Sequence, residues 1–246
     1  METILVMMPY IQSKAQGNEI KICLNCWRKF CTFNYHFVVV GDYAEDLQKE
    51  FPWVEFIYCE PKKLMEAQYN PHLDIQHKME VLYNKYHKEY TGFIRVSDDV
   101  YAIKPFTLDD ITTVYYNSDK LNPYPSPNHP TNYFSNNKWK TQQLLIKNNL
   151  PIVNYTIHSP YYYEFEKLME IWNKYDMRNE SYVLEDIYFN SFEHSEPKPI
   201  TDIRCMIRLK SKVYEKFHYS LNSPNIKFLC NSNSGWTSEI EKILLK

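Results

Sequence analysis

Apolar and polar positions along the first hundred residues follow a strand–helix–strand rhythm. Residues 4–8 (ILVMM) form a short apolar run closed by Pro9, which predicts a buried strand. From residue 18 to about 31, apolar side chains recur at Ile20, Ile22, Cys23, Leu24, Cys26, Trp27 and Phe30, the spacing of a helix packed on one face. Residues 36–40 (HFVVV) are β-branched and stop at Gly41-Asp42, predicting a second strand. A short helix over 44–50 ends at Phe51-Pro52, and residues 54–58 predict a third strand. A longer helix over 75–90 carries Met79, Leu82, Tyr83 and Tyr86 on one side. Residues 93–96 then form a fourth strand that runs directly into Ser97-Asp98-Asp99.

The second half is less regular. Residues 122–133 (NPYPSPNHPTNY) predict an extended loop, and residues 139–147 a helix. Ser159 as N-cap and Pro160 at the first helical position predict a helix through about residue 175. Residues 182–192 predict another helix, 203–209 a strand and 239–245 a closing helix. The pattern specifies an α/β fold of βαβ units, with a mainly parallel central sheet flanked by helices and an irregular C-terminal region, all in one domain over 1–246. In such sheets ligands gather beyond the carboxyl ends of the strands, where Pro9-Tyr10, Gly41-Asp42 and Ser97–Asp99 fall.

Composition narrows the classes. With 44% hydrophobic and 24% charged residues the chain is globular, and no run approaches the roughly 18 apolar residues of a membrane span. The opening METILVMMPY lacks a basic segment and a cleavage site, so it reads as a first strand and the expected location is cytoplasmic. Association with a membrane surface stays open. A net charge of −2 disfavours a nucleic-acid partner, which would need a local groove built from Lys138, Lys140, Lys147, Arg204, Arg208, Lys210 and Lys212. The glycines are Gly17, Gly41, Gly92 and Gly235 only, which excludes both the dinucleotide-binding and the P-loop glycine motifs. Cys23 and Cys26 form a C-x-x-C inside a helical pattern with no second pair, so the cysteines read as buried free thiols.

The densest chemistry lies in FIRVSDDVYAIKPF, residues 93–106. Adjacent carboxylates at the end of a buried strand repel one another, and a divalent cation relieves that repulsion while supplying positive charge for a diphosphate. The plain alternative is an Asp-capped turn. This segment resembles the one that GT-A glycosyltransferases carry at the end of about the fourth strand of a nucleotide-binding βαβ sheet: strand, D-x-D, a hydrophobic residue and a following Pro-Phe pair. The resemblance covers roughly residues 2–110, extending to about 195. The Asp-Asp-Val segment is also similar to one in capsule-polymer sugar-phosphate transferases.

That resemblance implies a GT-A-like fold with a nucleotide-sugar-binding half over about 1–110 and an acceptor half over about 111–246. It implies a nucleotide-diphosphate sugar donor, UDP-linked, an acceptor hydroxyl, and Mn²⁺ or Mg²⁺ as cofactor. Asp99 becomes the main metal ligand with Asp98 beside it, while Ser97 replaces the first acid of the pattern with a weaker hydroxyl ligand. Lys78 becomes a candidate for the donor phosphates, and Tyr10, Gln12, Lys14 and Asp42 for the base and ribose. Glu185 or Asp186 is the expected general base, His158 touches phosphate or acceptor, and His218 completes the metal site. Each has a structural alternative: a surface ion pair for Asp74 with Lys78, or a complement to the helix dipole for Glu185-Asp186. Tyr161-Tyr162-Tyr163, Trp139 and Trp236 offer faces for sugar stacking. Competing functions are sugar-phosphate transfer, a non-catalytic carbohydrate- or nucleotide-binding module, and, least favoured, a DNA-modifying sugar transferase.

Overall fold

The chain is described here from a computed structural model, which covers residues 2–43, 45–62, 71–117 and 133–245. Its first strand, β1 (Ile4–Ile11), is buried on both faces, which is why the sequence shows a continuous apolar run rather than an alternation. Helix α1 (Glu19–Phe30) buries Ile20, Leu24 and Trp27 in the core, Trp27 lying edge-on to Phe37 and Phe106, and leads to β2 (Tyr35–Asp42). Helix α2 (Glu45–Glu50), strand β3 (Glu55–Tyr58), helix α3 (Pro71–Tyr86) and strand β4 (Gly92–Arg95) follow. Helix α3 starts four residues earlier than the periodicity indicates, because Pro71 suits a first helical turn.

Strands β1 to β4 run parallel in the order β3-β2-β1-β4, with β1 in full register against β2 from Ile4–Tyr35 to Ile11–Asp42. The chain then leaves this sheet through Ser97–Asp99 and enters a second one at β5 (Val100–Ala102). Helix α4 (Leu108–Thr112), capped by Thr107 and Asp110, and the short β6 (Tyr115–Tyr116) come next. Helix α5 (Tyr133–Lys147) is longer than its periodic core and takes in the last residue of the loop expected over 122–133, the rest of which lies outside the described residues.

The clearest departure from expectation is at Ser159-Pro160. No helix begins there. Tyr161–Glu164 forms β7, which pairs antiparallel with β4 and closes that edge of the main sheet. Helix α6 (Phe165–Tyr175) starts only afterwards. Three consecutive tyrosines are strong strand formers, and the open edge of β4 offers their backbone a ladder that a helix would leave unpaired.

Helix α7 (Leu184–Ser191), the short β8 (Lys198–Pro199), β9 (Arg204–Ile207), helix α8 (Val213–Asn222), β10 (Phe228–Asn231) and helix α9 (Ser238–Leu244) complete the chain. The second sheet has the order β5-β10-β9. One continuous apolar core joins both sheets, with Trp27, Phe37, Phe93, Phe106 and Phe228 among its members.

Candidate functional site

Topology creates the site before any side chain does. From β1 the chain winds outward through β2 to β3, then α3 carries it back to the opposite side of β1. Loops leaving the carboxyl ends of β1 and β4 therefore diverge, and a crevice opens between them. A cleft of about 200 Å³ occupies that position. Lys14, Glu19, Lys78, Ser97, Asp98 and Asp99 line it from the first half, and His158 and Asn233 from the second.

The acidic turn is held from two directions. Val96 N–H donates to Met7 O at 2.9 Å, fixing the end of β4 to β1. Asn231 N–H donates to Asp99 O at 3.3 Å, fixing the same turn to the second sheet. Burial, then the charges of Asp99 and Glu19, push the Asp98 carboxyl up to about 8. Burial also raises Glu19, although Asn231 Nδ2 and Gln16 N–H donate to its two oxygens. Asp99 turns one oxygen inward with no hydrogen-bond partner, and its other oxygen lies 3.4 Å from His158 Nδ1. His158 sits in the left-handed region at φ 47°, a conformation costly for a residue with a Cβ. Clustered carboxyl groups and an orphaned Asp99 oxygen give this turn several hard-oxygen donors. No group of three or more His, Cys, Asp or Glu among the described residues is disposed to hold a metal by itself. A cation at this turn would have to draw most of its oxygens from a ligand or water rather than from side chains.

Lys78 lines the cleft, but its ammonium is already engaged: it donates to Tyr10 O at 2.9 Å and to Asp74 Oδ2 at 2.6 Å, fully buried. It clamps α3 to the loop after β1. Tyr10 faces an adjoining pocket of about 180 Å³, shared with Gln12, Asn18 and Lys21, and burial raises its hydroxyl to about 12. Asp42 accepts Gln12 N–H at 2.9 Å, so it shapes the same loop.

Other candidates fall elsewhere. Glu185 pairs with the buried Arg95 of β4, and Asp186 accepts Tyr155 N–H at 2.6 Å and Thr156 Oγ1 at 3.3 Å. Both carboxylates are buried and neither lines the cleft. Here the two carboxylates satisfy a buried guanidinium and a buried backbone amide, each of which demands an acceptor. His218 lies exposed on α8 and does not line the cleft either. Tyr161 and Tyr163 are core residues, while Tyr162 helps line a cavity of about 260 Å³ next to Ile157 and Pro160. In the supposed basic groove, Lys138 is buried and Lys140 pairs with Glu180. Glu19 and Asn233 were not singled out from sequence. Glu19 reads there as an ordinary acidic first helical residue, and Asn233 sits in a Ser/Asn-rich turn with no pattern to distinguish it.

No model of a known protein family matches the sequence, and no curated protein matches it. Among solved structures, one that is similar is a glycosyltransferase involved in the glycosylation of the major capsid of PBCV-1. The likeness has a TM-score of 0.43 at 10% identity and covers 99% of each chain.

Proposed function

We propose that this chain is a glycosyltransferase of the GT-A type, which moves a sugar from a nucleotide-diphosphate donor to an acceptor hydroxyl. The observation that carries the reading is the acidic cleft at the switch point between β1 and β4, where Asp98, Asp99 and Glu19 converge. In a chain with no glycine-rich phosphate loop, a cation held by these carboxylates would supply positive charge for a diphosphate.

In this reading Asp99, assisted by Asp98, would hold Mn²⁺ or Mg²⁺. When bound, the cation neutralises the charge that gathers on the departing nucleoside diphosphate. Lys14 extends the same electrostatic environment along the β1 loop, and the Tyr10 pocket receives the base, for which uracil is the first choice. The acceptor oxygen forms the new bond to the anomeric carbon as the bond to the diphosphate oxygen breaks. Its proton must leave to a nearby base. His158, half-exposed over Asp99, is the cleft's candidate for that role in place of Glu185 and Asp186.

The test is a donor screen. Wild type and Asp99→Asn are compared by thermal shift and turnover with UDP-, GDP- and CDP-sugars, with and without Mn²⁺. At least one donor should stabilise the wild type in a Mn²⁺-dependent way, and Asp99→Asn should lower turnover by about 100-fold or more while remaining folded. Stabilisation by no donor, or full turnover in Asp99→Asn, would sink the proposal. Saccharide affinity without turnover in either protein would identify a binding module instead.

A further inference from the structure

The segment between Asp202 and Glu239 differs from the rest of the chain in charge. It carries Arg204, Arg208, Lys210, Lys212, Lys216 and Lys227 against a single acid, Glu215, in a protein whose net charge is −2. Arg208 and Lys210 are exposed and make no ion pair among the described residues, whereas Lys212 pairs with Glu215. The same stretch holds the densest run of exposed large apolar side chains: Leu209 is 59% exposed, Tyr214 53%, Tyr219 57% and Leu221 43%.

Helix α8 shows how this arises. Val213, Phe217 and Ser220 form its inward stripe, at i, i+4 and i+7, with Val213 and Ser220 buried. Tyr214, His218 and Leu221 repeat the same spacing on the outward flank, where a surface helix ordinarily carries charge. An outward flank of tyrosine, histidine and leucine with a basic lead-in, the Tyr214 hydroxyl donating to Glu239, has the composition of an interfacial element. Tyrosine settles at headgroup level, leucine enters the acyl boundary, and lysine and arginine meet anionic headgroups.

We propose that Arg208–Asn222 is a membrane-docking surface for an anionic lipid bilayer. Charge complementarity selects the anionic surface, and the exposed leucines separate it from a nucleic acid. A phosphate backbone rewards cations, but Leu209 and Leu221 would gain nothing on it. The patch also adjoins the acidic cleft. Ser234 Oγ donates to Arg208 O at 3.1 Å, and Asn233, the preceding residue, lines the cleft. Docking through this surface brings its Arg208 end, and the cleft next to it, toward the bilayer and an acceptor displayed there.

The experiment is co-sedimentation of the full chain with extruded vesicles of phosphatidylcholine alone or of phosphatidylcholine and phosphatidylserine at 7:3, in low and high salt. The variants are Arg208→Gln/Lys210→Gln/Lys216→Gln, and Leu209→Ser/Tyr214→Ser/Leu221→Ser, each checked for folding by its melt. Wild type should prefer the anionic vesicles by about tenfold or more and lose that preference in high salt. Each triple variant should lose most of the binding. Absence of vesicle binding by the folded wild type, or equal binding to neutral vesicles, overturns the proposal. So does an apolar variant that binds like wild type while a short DNA duplex competes for the surface, which would assign it to nucleic acid. Donor-induced stabilisation, read on the same proteins without vesicles, reports on the cleft separately. Failure of docking therefore leaves the glycosyltransferase reading standing, and the reverse also holds.

Discussion

At the residue scale, the acidic pair was legible because a strand that ends in Asp98-Asp99 leaves few chemical options. Their neighbours were not legible. Glu19 reaches the cleft through the loop after β1, and His158 through the loop before β7, so neither adjacency exists in the linear pattern. His158 is the more informative of the two, since the fold holds it at φ 47° over Asp99. Backbone strain of this kind is retained where the surroundings over-determine it. Replacing His158 by Gly relieves the strain and replacing it by Ala does not. His158→Gly should therefore be more stable than His158→Ala by about 1 kcal/mol in urea unfolding, since only glycine enters that region freely. Equal stabilities would mean that the left-handed conformation costs nothing there. Both variants should lower turnover if the imidazole takes the acceptor proton.

At the element scale, the first four strands and their helices lay close to where periodicity put them, because each is specified by its own apolar run. At strand β7 Ser-Pro imitates a helix start, while the deciding partner, the open edge of β4, is 66 or more residues away in sequence. Strands β5 and β10 are short and depend on partners distant in sequence: β5 pairs with β10, and β10 sits between β5 and β9. The register of β1 on β2 sets the geometry at the mouth of the site, and Gly41 is where it is tightest. A Cβ at that position would lie 1.9 Å from Tyr10 O, the carbonyl that also accepts from Lys78. Gly41→Ala should cost about 1–3 kcal/mol by denaturant unfolding and weaken donor-induced stabilisation, because separating the strands displaces Tyr10. A variant with wild-type stability would show that the strands part there without cost.

At the scale of the whole molecule, the pair Arg95–Glu185 ties the main sheet to α7 across 90 residues of sequence. Burial alone would raise the Glu185 carboxyl, but Arg95 and then His72 outweigh it, and the net effect lies below the ordinary value of 4.5. A lowered carboxyl contributes stability that is fully present above its unfolded value and is lost as pH falls through the folded one. Melting temperature should therefore drop as pH falls below about 5, with part of the drop belonging to this pair. Glu185→Gln should cost about 3 kcal/mol at pH 7, by leaving a buried guanidinium uncompensated, and should flatten the acid limb. An unchanged acid limb in that variant would remove the pair from the account. The amino-acid sequence alone determined the succession of strands and helices over the first hundred residues, the Asp pair at a strand end and the exclusion of glycine phosphate loops. All three rest on local patterns of side-chain type. Only the tertiary structure decided that β4 returns to the far side of β1, that Glu185 meets the buried Arg95, and that Asn231, 212 residues from Glu19, holds that carboxylate at the cleft. Those outcomes depend on which buried charges and open strand edges meet in space, and no local pattern encodes such meetings.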